Sequence, residues 1–94
     1  MYAVTRRYRF DPANSEKIAA IINDVFLPAL RQAPGLHAYY WLDNDDGVGI
    51  SVGVFEQREG AEDSVKLAAE LIRKHLAGLV SQPEIVHGDV KAYA

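Results

Sequence analysis

The stretch PGLHAYYW, residues 34–41, decides the interpretation of this 94-residue chain. Its Pro-Gly pair stops the helical pattern that precedes it, because Pro has no backbone donor and Gly tolerates the left-handed conformation of a helix end. The residues that follow are aromatic or apolar and favour a strand. Three of the nine Tyr, Trp and Phe side chains lie on that strand. In a domain this small, the strand is the best candidate for one wall of a pocket.

The segments on either side alternate between strand and helix patterns. Period-2 alternation indicates strands, and apolar residues spaced three and four apart indicate helices. The predicted order is strand, helix, strand, strand, helix, strand, over residues 2–10, 15–33, 36–42, 48–55, 62–80 and 84–93. Pro28 should kink the first helix, and Asp46-Gly47 is a strong turn signal between the two middle strands.

The faces of the middle hairpin depend on the length of its loop. An even-length loop would place one set of large side chains on a single sheet face: His37, Tyr39, Trp41, Ile50, Val52 and Val54. The other face would then carry Ala38, Tyr40, Leu42, Gly49, Ser51, Gly53 and Phe55. Small residues beside large ones indicate either room for a ligand or a closely packed helix.

The order βαββαβ predicts one α+β domain over residues 1–94. The expected architecture is ferredoxin-like, a four-stranded antiparallel sheet with two helices on one face. Because the middle hairpin is apolar on both faces, the face without helices needs a cover. A second copy of the chain would supply it, so we predict a homodimer with a β-barrel-like centre.

Composition excludes several classes of function. The net charge of −3 and the pI near 5.5 argue against a nucleic-acid partner. No apolar run approaches the roughly 20 residues of a membrane span, and no signal peptide is recognisable, which favours the cytoplasm. The chain has no Cys, and its three His follow no metal-ligand spacing. We therefore expect neither a metal nor a cofactor.

These elements resemble the dimeric α+β barrel superfamily, and most closely its antibiotic biosynthesis monooxygenase-like group. The resemblance covers nearly the whole chain and rests on four short motifs: Ala33-Pro34-Gly35, the aromatic Tyr39 four residues later, Phe55-Glu56, and His87-Gly88-Asp89-Val90 after Pro83-Glu84. It implies a cofactor-independent monooxygenase acting on a small aromatic molecule of the phenol or quinol type. Other members degrade haem or isomerise lactones, and many have no known activity, so the fold alone does not decide function.

The chain departs from that group in two places. Many members have a His near the start of the second helix, where Ser64 stands in this sequence. The haem-degrading members use an Asn on the first strand and a Trp early in the second helix, and this chain has neither. Haem degradation is therefore set aside.

The resemblance suggests a set of site residues. His75 falls in the apolar arc of the second helix, and burial there would leave it a neutral base. Tyr39 and Arg6 would hold the oxyanion that develops during oxidation. The predicted substrate contacts are Trp41, Tyr40, Phe55 and His37, although strand alternation lets only one set face a given pocket. The simpler interpretations are core packing for the aromatic residues, a backbone partner for His75, and an acid partner such as Asp89 or Glu84 for Arg6.

Two further functions remain open. One is a non-catalytic, dimeric module that binds a small ligand, for instance a stress-associated protein. The other is a lyase or an isomerase on the same scaffold. A pocket lined only by apolar side chains would favour the binding module, whereas a convergent His, Tyr and Arg would favour the enzyme.

Overall fold

A four-stranded antiparallel sheet with both helices on one face forms the framework in the computed structural model, which describes residues 1–94. The strands are β1 (Tyr2–Arg9), β2 (Leu36–Asp43), β3 (Val48–Phe55) and β4 (Glu84–Asp89). Their order across the sheet is β2-β3-β1-β4. The predicted α+β ferredoxin-like fold is confirmed.

The first helix, α1, changes its winding along its length. It is α-helical over Ser15–Ile21, π-helical over Ile22–Phe26 and α-helical again over Leu27–Leu30. The Leu27 N–H bonds to the Ile22 carbonyl, one residue further back than in an α-helix. This widened turn lies directly before Pro28, whose ring crowds the preceding turn and which has no N–H. The irregularity predicted at Pro28 therefore takes the form of a π-helical turn.

The second helix, α2, spans Arg58–His75 and so begins and ends earlier than the predicted 62–80. A left-handed Gly78, with φ of 79°, lies in the turn that follows. The last strand is also shorter than predicted, because β4 ends at Asp89. Neither helix is long and apolar enough to cross a membrane.

The faces predicted for the hairpin are wrong. The Asn44 N–H bonds to the Val48 carbonyl at 3.0 Å and closes a loop of three residues, Asp45 to Gly47. Both ends of this loop have positive φ, 64° and 86°. Because the loop holds an odd number of residues, Tyr39 pairs with Gly53 and Trp41 pairs with Ser51. With an odd number of loop residues, the odd-numbered residues of both strands share one face of the sheet. The prediction assumed an even number.

The observed faces follow from this register. The side toward the helices carries Tyr39, Trp41, Gly49, Ser51, Gly53 and Phe55. The opposite side, called the open face below, carries Ala38, Tyr40, Leu42, Ile50, Val52 and Val54. On the open face, Tyr40 is 60% exposed and Leu42 is 54% exposed.

The small residues of β3 make room for aromatic rings of this same chain. A Cβ atom at Gly49 would collide with the Trp41 ring and lie 2.9 Å from the Phe10 ring. A Cβ atom at Gly53 would lie 3.0 Å from the Phe55 ring. The two explanations offered by the sequence, a ligand or a helix, are therefore replaced by a third, which is ring packing within the sheet layer.

Candidate functional site

Arg6 is a buried cation without a carboxylate partner. It lies in the middle of β1 on the side toward the helices and is only 3% exposed. Its Nε donates to Ser51 Oγ at 3.2 Å and its Nη1 to the Ser64 carbonyl oxygen at 3.5 Å. Both partners are neutral, although buried charges in proteins are usually paired.

The acid partners suggested for Arg6 lie elsewhere. In the β1–β4 register, Arg6 is opposite Ile85 and Arg7 is opposite Glu84. Alternation therefore turns Glu84 to the open face, where its carboxylate lies 3.8 Å from Arg7 Nη1. Asp89 is opposite Tyr2, at the far end of the strand pair. The positive charge of Arg6 is left without compensation by either acid.

A cavity of about 330 Å³ opens beside Arg6 and is called the Arg6 cavity below. It lies between α2, β1, β4 and the segment that joins α2 to β4. Its walls are Arg6, Tyr8, Val65, Ala69, Ile72, Arg73, Val80, Ser81, Gln82, Pro83 and Ile85. This set includes two arginines and no Asp, Glu or His. The volume is at the lower end of the range for small-molecule sites, so the cavity suits a small, apolar molecule with a negative charge.

Tyr8 supplies a neutral donor to the same cavity. Burial raises the pKa of its hydroxyl to about 12, and the neighbouring Arg6 guanidinium opposes part of that rise. The hydroxyl therefore stays protonated near neutral pH and can donate a hydrogen bond to a ligand oxygen.

Trp41 lies directly behind Tyr8. The two ring centroids are 6.0 Å apart with tilted planes. The Trp41 Nε1 atom is buried and has no hydrogen-bond partner. A void of about 10 Å³ lies here, lined by Tyr8, Ile22, Phe26, Tyr39, Trp41, Ile72, Leu76 and Val80. Three of these side chains, Tyr8, Ile72 and Val80, also line the Arg6 cavity.

A larger cavity, of about 530 Å³, lies at the start of α2. Four of its polar side chains are paired with one another, and the fifth, Lys66, is exposed. The Tyr2 hydroxyl is hydrogen-bonded to His87 Nδ1, and Arg58 Nε lies 2.7 Å from Glu62 Oε1. Because these pairs leave no buried charge uncompensated, the smaller Arg6 cavity is the stronger candidate.

The expected burial of His75 is wrong. His75 is the last residue of α2 and is exposed, together with Arg73 and Lys74. The helical periodicity of a sequence gives the direction in which a side chain points. It does not show whether another element packs against the helix at that point along its length. The buried line along α2 passes through Ala61, Ser64 and Ala68, and His75 lies beyond it. The His75 side chain lines neither cavity.

The other predicted residues separate into different environments. Phe55 is fully buried and packs with Tyr2, in the core at the start of α2. Tyr40 lies on the open face. His37 is exposed, and its Nε2 lies 3.2 Å from Glu56 Oε2. None of these three lines the Arg6 cavity.

The remaining predicted residues lie around Tyr8. Arg6 lines the Arg6 cavity, while Tyr39 and Trp41 line the void behind it. Tyr8 was not among the predicted site residues, although it is two residues after Arg6 and residues two apart on a strand share a face. Ser51 and Ser64, the two polar partners of the guanidinium, were not predicted as site residues either.

Comparison with known proteins identifies the fold. No protein-family profile matches the chain, and no curated protein matches it. A protein of unknown function from Nitrosomonas europaea, NE2512, has a similar structure, with a TM-score of 0.81 and 20% sequence identity. The alignment covers 99% of this chain and 91% of that protein. The ActVA-Orf6 monooxygenase of Streptomyces coelicolor, solved in complex with Nanaomycin D, is also similar, with a TM-score of 0.79 and 16% sequence identity. The alignment covers 99% of this chain and 89% of that protein.

A third structure, titled antibiotic biosynthesis monooxygenase, matches with a TM-score of 0.75 and 16% identity over 98% of this chain and all of that one. These similarities confirm the resemblance seen in the sequence at the level of the fold. At such identities they do not carry residue roles from one protein to another.

Proposed function

We propose that this protein binds a small aromatic molecule as its phenolate in the Arg6 cavity, and that it oxidises this molecule with molecular oxygen without a cofactor. One observation carries the proposal: a guanidinium that is 3% exposed has only neutral partners and faces a cavity with apolar walls. A phenolate oxygen would complete its coordination, and the ring would fill the apolar space.

The oxidation needs no outside reductant. A phenol with a free ortho position plus O2 gives the ortho-quinone plus water, so one oxygen atom enters the ring and the other leaves as water. The phenolate first passes one electron to O2. The resulting phenoxyl radical and superoxide combine at the ortho carbon, and the hydroperoxide loses water together with the ortho hydrogen.

The residues of the cavity fit the electrostatic part of this chemistry. Arg6 would stabilise the phenolate and the superoxide that forms beside it. The Tyr8 hydroxyl, protonated because its pKa is raised to about 12, would donate to the same oxygen. The phenol proton would leave to solvent, because no Asp, Glu or His lines the cavity. The protein would therefore act on the fraction of the phenol that is already ionised, which grows with pH. The fold it shares with the ActVA-Orf6 monooxygenase supports this chemistry.

The lack of a proton acceptor also favours a second candidate, a non-catalytic module that binds aromatic anions. Such a module needs the charge of Arg6 and the apolar walls, but no base. It would bind the same ligands and consume no oxygen.

The test separates binding from turnover. The first probe is 4-nitrophenol, whose anion is coloured, with 4-nitroanisole as the matched probe that cannot ionise. We expect binding of the anion alone, and its loss in Arg6→Met. An oxygen electrode with 1-naphthol then distinguishes the two candidates, because only the enzyme consumes O2. Equal binding of both probes would refute the anion site.

We also propose that the protein is a homodimer joined through the open face. Tyr40, Leu42 and Val86 are 60%, 54% and 71% exposed there. These side chains lie on the two edge strands with Ile50, Val52 and Val54 between them, so the face is largely apolar, with Thr5, Arg7 and Glu84 among its polar residues. Large exposed apolar patches mark interaction sites. A second copy would bury the same residues from both sides by two-fold symmetry. Light scattering at micromolar concentration should give twice the 10.4 kDa chain mass, and a particle of chain mass would overturn the proposal.

A further inference from the structure

We infer that the Arg6 cavity extends to the Trp41 indole when a ligand binds, so that the preferred ligand is a phenol with a hydrogen-bond acceptor in the para position. This inference rests on the proposed binding of a phenolate at Arg6, and not on the oxidation.

The indole N–H of Trp41 has no hydrogen-bond partner within the protein. The Nε1 atom is also buried. A buried donor left unsatisfied destabilises a protein by about 1–3 kcal/mol, and nearly all such groups find partners. A ligand acceptor would satisfy this donor.

The register of the sheet fixes the relative positions of Arg6 and Trp41, the two residues that such a ligand would contact. Arg6 pairs with Ser51, and Ser51 pairs with Trp41. The two side chains therefore lie in one row on the same face, two strands apart. Their backbones are two strand spacings apart, roughly 10 Å, so one small ligand lying along this row could approach both side chains.

A single partition separates the two spaces. It consists of Tyr8, Ile72 and Val80, which line both the Arg6 cavity and the void. The void of about 10 Å³ is at the lower limit for a single water molecule. A ligand group can reach Trp41 only if these side chains change rotamer. Val80 lies in the segment after the left-handed Gly78, outside α2 and β4.

The composition of the chain provides a direct readout. Trp41 is the only Trp, so its indole N–H gives a single side-chain resonance in a ¹⁵N-labelled sample. The two probes are 4-hydroxyacetophenone and 4-(trifluoromethyl)phenol, whose electron-withdrawing para substituents give the two phenols similar acidity. Only the ketone has an acceptor.

Both phenols should shift backbone amides at the mouth of the cavity, such as those of Ser81 and Gln82. Only 4-hydroxyacetophenone should move the indole N–H downfield. If both phenols bind and the indole responds equally to both, the extension is refuted while the phenolate site stands. If neither phenol binds in an Arg6-dependent manner, the proposed function and the inference both fail.

Affinities give a second measurement. The ratio of the two dissociation constants, ketone against trifluoromethyl, should change by about 3- to 10-fold in Trp41→Phe, the range expected for loss of one hydrogen bond. Comparing the two ligands within each variant cancels any general loss of affinity from altered packing. Should Trp41→Phe not fold, the resonance of the wild-type protein decides alone. A ratio that is unchanged in a folded variant would overturn the inference.

Discussion

Replacing Arg6 by Met should remove phenolate binding while leaving the fold at least as stable. The two side chains have similar length, so Met can occupy the space between the sheet and α2. Of the five N–H donors of a guanidinium, those on Nε and Nη1 have partners in the protein, Ser51 and Ser64. The Arg6 side chain also lines the cavity. A residue retained for stability would be expected to have its donors and its charge better compensated.

The magnitude follows from opposing terms. Loss of the bond from Nε to Ser51 Oγ removes about 1 kcal/mol. Removing a buried ion in favour of an apolar group of similar volume stabilises proteins by up to about 1–4 kcal/mol. The expected net gain is about 1–2 kcal/mol in the free energy of unfolding. For a domain of this size, that raises the Tm by roughly 4–16 °C.

The assay is thermal and denaturant unfolding, with 4-nitrophenol binding measured on the same samples. Arg7→Met is the matched control, because Arg7 is the next residue on β1 and its ion pair with Glu84 is exposed. That variant should keep both its stability, within about 0.5 kcal/mol, and its binding. If Arg6→Met instead lost more than about 1 kcal/mol against the control, Arg6 would be a structural residue and the reasoning for the site would fail.

Three further outcomes test the packing, the pKa and the assembly. Gly49→Ala should lower the free energy of unfolding by about 1–3 kcal/mol because its Cβ would collide with the Trp41 ring, whereas Gly88→Ala, with nothing within 4 Å of the added atom, should have little effect in the same denaturant titration. Tyr8 keeps its proton to about pH 12 in the folded state against 10 when unfolded, so stability should fall by up to about 2 kcal/mol between these values; Tyr8→Phe should lose less over that interval, and equal losses would contradict the raised pKa. Leu42→Lys on the open face should shift light scattering to the single-chain mass, and an unchanged dimer would show that this face is not the interface.

The order of elements could be predicted from the sequence because it depends on local periodicity. The faces of the hairpin could not, because they depend on whether its loop holds an even or an odd number of residues. The pair Asp46-Gly47 predicts the turn. Asp45 also adopts positive φ, however, and the loop therefore has three residues. That single residue places Tyr39 and Trp41 on the face of Gly53 and Ser51 and not, as predicted, on the face of Ile50, Val52 and Val54.

The site was predictable only in part, for a related reason. Alternation along β1 correctly placed Arg6 and Tyr8 on one face, because a strand has only two sides. A helix offers a wide arc, and a residue such as His75 can point toward the sheet and still lie beyond the side chains that would cover it. Whether a residue is covered depends on where the helix ends relative to the sheet, which the sequence does not show.

The uncompensated charge of Arg6 is a specific arrangement and not a shortage of acids. The chain has 13 Asp and Glu against 10 Lys and Arg. Its acids form ion pairs at the surface with Arg7, Arg58, Arg73 and Lys74. The register of β1 against β4 directs Glu84 to the open face, so the one buried arginine is opposite an isoleucine. An acid at that position would neutralise Arg6 permanently and would compete with any anionic ligand. Leaving Ile85 there keeps the guanidinium free to bind one, which is the property that a phenolate site requires.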